Sequence, residues 1–319
     1  MIEIAEFLHY GTIACAVGMS AFGVAIGEGI TSSAALQAMD TQPSAKGDIS
    51  KITMFCVALI ETAAVMGLTM SLFLLGAEGH TAHYTGIAEL GILFAICLPG
   101  LVIGLVSAMP ARAACLALAR QPFFTQKIFR FTLIAQAMIQ APVIFGFIIA
   151  MFIKAQAQDV TTLSESIRLV ASGLCIGLGS IGPALGMAIF TRNACEGLGV
   201  NRNAYNKIFS FTLISGALIE TSMIFSLIIS IKLTTTSTLE SSSPLLTSIA
   251  LLSAALCTGL GSIGPGISSG RTSGAACQQI AVKPELHNIL SFASMANQSI
   301  IDTCALYAVI LSLLLILWS

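Results

Sequence analysis

Long apolar runs alternate with short polar breaks along the whole chain, at nearly regular intervals. The runs exceed the roughly 18 residues that mark a membrane-spanning helix, and no soluble-sized segment lies between them. Four of the breaks, DTQPSAKGD (40–48), ARQPFFTQK (119–127), EGLGVNRN (196–203) and AVKPELHN (281–288), are rich in the Pro, Gly, Asn and charged residues that turn a chain tightly. The connectors between them, such as GAEGHTAHYTG and KLTTTSTLESSSP, are looser and poor in Lys and Arg. This pattern predicts an all-α membrane protein: eight transmembrane helices arranged as four tandem helical hairpins.

Comparison of the chain with itself gives the same count. GLGSIGPALGMAIFTRNAC (177–195) matches GLGSIGPGISSGRTSGAAC (259–277) at an offset of 82, which carries Glu220 onto Asp302. An offset of 159 carries Gly18, Gly23 and Gly27 onto Gly177, Gly182 and Gly186, and Glu61 onto Glu220. KIFRFTLIAQAMIQAPVIF (127–145) matches KIFSFTLISGALIETSMIF (207–225) at an offset of 80, which sets Gln140 where the other repeats hold an acid. Self-similarity at a fixed period marks one repeated structural unit. The expected boundaries are 1–80, 81–158 (the repeat whose acid is replaced by Gln), 159–236 and 237–319.

Composition agrees, at 56% hydrophobic and 9% charged residues with a mean hydropathy of +0.92, against roughly 25% charged in an average soluble domain. A net charge of −1 offers no basic surface to nucleic acid. The position of the charges says more than their sum: 11 of the 14 Lys and Arg lie in or beside the four tight turns. By the positive-inside rule those turns face the cytoplasm and the termini lie outside. The N-terminal MIEIAEFLHY is acidic where a secretory signal would be basic, so no cleaved peptide is expected. Nine cysteines without a CxxC pair read as small buried hydrophobes. His9, His80, His83 and His287 are scattered near the membrane faces and receive no role.

The first helix of each repeat carries small residues at four-residue spacing, as in Gly23 and Gly27, Gly100 and Gly104, Gly182 and Gly186, and Gly266 and Gly270. Small residues at that spacing let membrane helices approach closely. Four aligned copies predict a crowded inner row of helices.

The acids of the second helices are the candidate chemistry. A carboxylate at mid-membrane costs roughly 2.5 to 3.5 kcal/mol on insertion scales, so its recurrence at one hairpin position asks for a function. Residues equidistant from a hairpin turn lie level with each other. For Glu28 and Glu61 the midpoint is 44.5, inside the first turn, so these two acids are expected side by side near mid-membrane. The same rule makes Ser107 level with Gln140, Met187 with Glu220 and Ser269 with Asp302. Two adjacent carboxylates in low dielectric cannot both stay ionised alone, so they share a proton, bind a cation, or both. With the Thr62 hydroxyl counted beside them, Glu28, Glu61 and Thr62 form an oxygen set that suits a hard ion such as Na⁺. Gln140 cannot release a proton at physiological pH and reads as a silent spacer.

With these features in place, the sequence resembles the c-subunit of F-type ATP synthases, the ion-translocating proteolipid of the rotor ring. The resemblance is carried by GVAIGEG (23–29), the turns TQPSAKGDI (41–49) and ARQP (119–122), and the acids in IETA, IETS and IDTC, and it covers all four repeats. It implies that Glu61, Glu220 and Asp302 carry H⁺ or Na⁺ around a rotor ring. It further implies that the hydroxyl after each acid, on Thr62, Thr221 and Thr303, belongs to the ion site, and that Glu28 stands where sodium-carrying members have a glutamine. The turn residues Gln42, Pro43, Arg120, Gln121 and Pro122 would contact the central stalk. Implied partners are further copies in a homo-oligomeric ring, the stator a-subunit, the gamma and epsilon subunits of the central stalk, and membrane lipid. The protein itself would be non-catalytic, with no cofactor besides the transported ion, in the inner (cell) membrane of a bacterium or an equivalent energy-coupling membrane.

The chain departs from a single-hairpin member by fusing four hairpins, by Thr41 in place of the turn arginine, and by losing the Gln-Pro pair from the third turn. Fusion with loss of an acid also occurs in V-type proteolipids, so a V-type-like rotor of an ATP-driven pump is the nearest alternative. A transporter acting alone is less favoured, because its polar residues would converge on one site instead of repeating.

Overall fold

The computed structural model describes residues 2–76, 83–236 and 244–318. Among these there are helices and turns and no strand. Hairpin 1 is α1 (Ile2–Thr41) and α2 (Lys46–Leu75); hairpin 2 is α3 (His83–Val106) with α4 (Ala108–Arg120), then α5 (Thr125–Ala157). Hairpin 3 is α6 (Leu163–Val200) and α7 (Tyr205–Thr235); hairpin 4 is α8 (Pro244–Gly261) with α9 (Ile263–Val282), then α10 (His287–Trp318). Eight spans among the described residues are long and apolar enough to cross a membrane, which identifies an integral membrane protein. The connectors near residue 80 and at 237–243, with His80, lie outside the described residues.

All four tight turns fold alike. A backbone N–H closes back onto the carbonyl three residues earlier, Ala45 to Gln42, Phe124 to Gln121, Ala204 to Asn201 and Leu286 to Lys283, at 3.0 to 3.2 Å. Proline opens three of these turns, where its fixed φ and missing N–H cost nothing. The third turn lacks proline, and there the Asn201 side chain instead accepts from the Asn203 N–H at 3.0 Å.

The first helices of the repeats pack in order, α1 on α3, α3 on α6 and α6 on α9, while α2, α5, α7 and α10 form a second row against them. The glycine stripes make the first row possible. A Cβ at Gly27 would collide with the Gly104 carbonyl, one at Gly173 with the Gly91 backbone, and one at Gly186 with the Gly266 carbonyl. Backbones this close gain dispersion contacts that lipid would not oppose with a hydrophobic force.

Two first helices are interrupted for one residue, at Ser107 and at Ser262, where continuous helices were expected. Each break lies three residues before a proline, Pro110 or Pro265, whose ring leaves the carbonyl four residues earlier without a donor. Pro99, Pro142 and Pro183 lie within helices that continue.

At the end opposite the turns, polar pairs tie neighbouring hairpins. His9 Nδ1 lies 2.7 Å from Glu89, both buried. Buried Arg168 donates to Gln156 Oε1 of hairpin 2 at 3.1 Å, and also to the carbonyls of Leu233 and Thr234 in its own hairpin. Cysteine burial is less uniform than expected: Cys15 and Cys304 are exposed, and all nine thiols are free.

Candidate functional site

Identical turns put the second-helix acids in strict register. Nineteen residues separate Gln42 from Glu61, Gln121 from Gln140, Asn201 from Glu220 and Lys283 from Asp302. Fourteen separate the same turn residues from Glu28, Ser107, Met187 and Ser269. Each repeat therefore offers a second-helix group and a level partner on its own first helix.

The third member comes from the preceding hairpin. The Thr62 hydroxyl of hairpin 1 donates to the Gln140 side-chain oxygen of hairpin 2 at 3.0 Å. The Thr221 hydroxyl of hairpin 3 donates to Asp302 Oδ2 of hairpin 4, also at 3.0 Å. The level partners complete these two sites: Gln140 Nε2 donates to Ser107 Oγ at 3.3 Å, and Ser269 Oγ lies 3.5 Å from Asp302 Oδ1. Gln140 and Asp302 are accordingly buried, at 6% and 9% exposure. The Thr62 hydroxyl, expected beside Glu28 and Glu61, points into the next hairpin's site. A second-helix residue facing the adjacent hairpin is a neighbour of that hairpin's acid, and no reading of one hairpin alone could find this.

Glu28, half-buried, holds the level position opposite Glu61. Glu61 is exposed on hairpin 1. Thr303 in hairpin 4, among the described residues, donates to the Ile300 carbonyl of its own helix at 2.7 Å. Glu220 is half-buried, and among the described residues its carboxylate has no hydrogen-bond partner. In its site the register sets Ala141 at the hydroxyl position and buried Met187 at the level position.

Sequence reasoning missed a further polar layer one helical turn nearer the tight turns. Gln136 donates to the Ser107 carbonyl at 2.8 Å, and Gln298 accepts from Ser215, which also bonds Ser273 at 2.7 Å. The corresponding residues in hairpins 1 and 3 are Val57 and Gly216. A Gln four residues before the acid position was the available signal.

The turn residues are also linked from hairpin to hairpin. Gln121 donates to the Gly199 carbonyl at 3.5 Å, and Asn201, which replaces glutamine in the third turn, donates to the Ala281 carbonyl at 2.9 Å. Pro43 and Arg120 are exposed, Gln42 and Pro122 partly so, and Phe123 at the tip of the second turn is fully exposed.

A sequence profile of the ATP synthase c-subunit family matches four times, at residues 12–74, 90–153, 170–233 and 252–315. The ATP synthase c-subunit of Dehalococcoides mccartyi is 40% identical over 70 residues, which is 22% of this chain and 92% of that protein. Its counterpart in Chloroflexus aurantiacus is 37% identical over 65 residues, 20% of this chain and 86% of that protein. A protein of Cereibacter sphaeroides, named there as ATP synthase c-subunit 2, is 39% identical over 80 residues, 25% of this chain and 93% of its own length. Each relative thus has the length of one hairpin, and the family profile spans all four. The chain belongs to the ATP synthase c-subunit family, the rotor-ring proteolipids, as a fusion of four hairpins.

Proposed function

We propose that this chain carries H⁺ or Na⁺ through the membrane on Glu61, Glu220 and Asp302, turning as part of a ring against the stator a-subunit and driving, or driven by, the gamma and epsilon subunits of the central stalk. The observation that carries the reading is the register: three acids and one amide stand nineteen residues after structurally equivalent turn residues. An ion that enters from one side neutralises an acid, the neutral site turns through lipid, and a stator cation displaces the ion on the other side. A bare carboxylate facing lipid is unfavourable, so loading and unloading gate rotation.

The Gln140 site supports the silent-spacer role. Its amide is neutral at all working pH values, and both of its ends are hydrogen-bonded within the chain. It can pass through lipid without a cargo. The tight turns, with their Lys and Arg, would face the cytoplasm and the stalk of a bacterial or equivalent energy-coupling membrane.

Three carriers per four hairpins favour one direction of work. Each charge moved contributes about 2.3 kcal/mol per 100 mV, so fewer carriers per turn leave less free energy for each ATP made. A rotor of this composition suits an ATP-driven pump, or synthesis at high potential.

The test is labelling of the intact complex with a hydrophobic carbodiimide, read by peptide mass spectrometry. Adducts are expected at Glu61, Glu220 and Asp302. Reactivity confined to one of the three would refute the three-carrier reading.

A further inference from the structure

We infer that the ion this rotor carries is the proton, and that the Glu220 site is what excludes Na⁺. The inference rests on the carrier reading above. Every carrier of one ring passes the same two access points, so the cargo must be an ion that all of the sites can hold. The poorest site therefore sets the cargo.

Asp302 has a carboxylate, the Thr221 hydroxyl at 3.0 Å and the Ser269 hydroxyl at 3.5 Å, with the Gln298, Ser215 and Ser273 network one turn away. Such a site could complete the oxygen shell of a small hard cation. Glu220 is built from the same register with the oxygens removed. The hydroxyl supplied forward by Thr62 and Thr221 is absent from hairpin 2, where the residue after Gln140 is Ala141. The level position holds Met187, a soft thioether with little affinity for hard cations, and the layer below holds Gly216 in place of a glutamine.

A dehydrated cation must be met by several oxygens, because taking it out of water without them costs several kcal/mol or more. A proton has no such need. Hydronium gives its proton to a Glu220 carboxylate oxygen, forming an O–H bond and leaving water; the product is a neutral carboxylic acid that enters lipid without further ligands. At the second access point the O–H bond breaks and water takes the proton. With Na⁺ as cargo, Glu220 would enter lipid as an unpaired carboxylate and stall the ring at the third hairpin of each chain.

The test uses the whole complex in vesicles, with ATP-driven acidification, uptake of radioactive Na⁺ and carbodiimide labelling measured on the same preparation. Acidification is expected to proceed without added Na⁺. Saturating Na⁺ is expected to leave the labelling rate of Glu220 unchanged, whereas a site holding the cation would be protected by about tenfold at ten times its dissociation constant. Uptake of Na⁺ coupled to ATP hydrolysis, or protection of Glu220 by Na⁺, would overturn the inference. So would a Glu220 that resists carbodiimide while Glu61 and Asp302 react, since it would then not be a carrier. A complex that hydrolyses ATP but labels at none of the three acids and moves neither ion would instead remove the carrier reading beneath it.

Discussion

Hairpins 3 and 4 present an acid at one register and surround it in opposite ways. Asp302 is covered and accepts from hydroxyls on two different hairpins; Glu220 is half-buried, and the register sets Ala141 and Met187 at the positions that hold hydroxyls around Asp302. Their own hairpins do not explain the contrast, because Glu220 is followed by a threonine just as Asp302 is. The explanation lies one hairpin back. The threonine after Glu220 serves Asp302, and the alanine after Gln140 leaves Glu220 unserved. One dipeptide, Gln140-Ala141, therefore marks two sites: it puts an amide in its own and leaves the next without a hydroxyl.

The bluntest way to sharpen this comparison is to remove each acid. Glu220→Gln and Asp302→Asn, like Glu61→Gln, are each expected to cut ion-coupled ATP turnover by at least about tenfold, because an amide carries no ion while the ring must still pass it. Gln140→Ala should stay within about twofold of the parent, since an uncharged site remains uncharged. Equal losses in Gln140→Ala and Glu220→Gln would end the division into carriers and spacer.

A second variant restores what hairpin 2 lost. Gln140→Glu supplies a fourth acid that already has Thr62 and Ser107 as neighbours. The number of ions moved per ATP is expected to rise by about one third, from three carriers per chain to four, if each neutralised acid counts equally. The measurement is ion-to-ATP stoichiometry in reconstituted vesicles, and an unchanged ratio would contradict the expectation.

Thr221→Val tests the forward supply directly. Removing one hydrogen bond of about 1 kcal/mol should shift the carbodiimide reactivity of Asp302 by roughly fivefold and leave that of Glu220 alone. A shift at Glu220 with none at Asp302 would mean that each threonine serves its own hairpin. The smallest effect is expected from Ser269→Ala. Its contact is at the 3.5 Å limit, and a bond that long contributes only a few tenths of a kcal/mol, so Asp302 reactivity should change by less than about twofold.

Much of the fold was legible in the chain. Apolar run lengths gave eight spans, offsets of 80, 82 and 159 gave four hairpins, and the glycine stripes announced the tight first row that Gly27 and Gly186 make. The helix breaks at Ser107 and Ser262 were not legible, because Pro99, Pro142 and Pro183 lie in uninterrupted helices and a proline alone does not decide the matter. Among site residues, the level pairs of Ser107 with Gln140 and Ser269 with Asp302 followed from distance to the turn. Gln136, Gln298 and the pairing of His9 with Glu89 did not, since each depends on what the neighbouring helix presents.

The sequence by itself determined the quantities that run along one helix or one hairpin: span length, turn position and the depth of each acid, all of which follow from a fixed rise per residue and a symmetric turn. Only the tertiary structure decided which hairpin a side chain serves. A threonine directly after an acid lies about 100° around the helix from it, so the two point toward different neighbours. That angle has no expression within one hairpin and gains its meaning when the next hairpin packs alongside, which is why Thr62 reads as a partner of Glu61 in the sequence and bonds Gln140 in the folded chain.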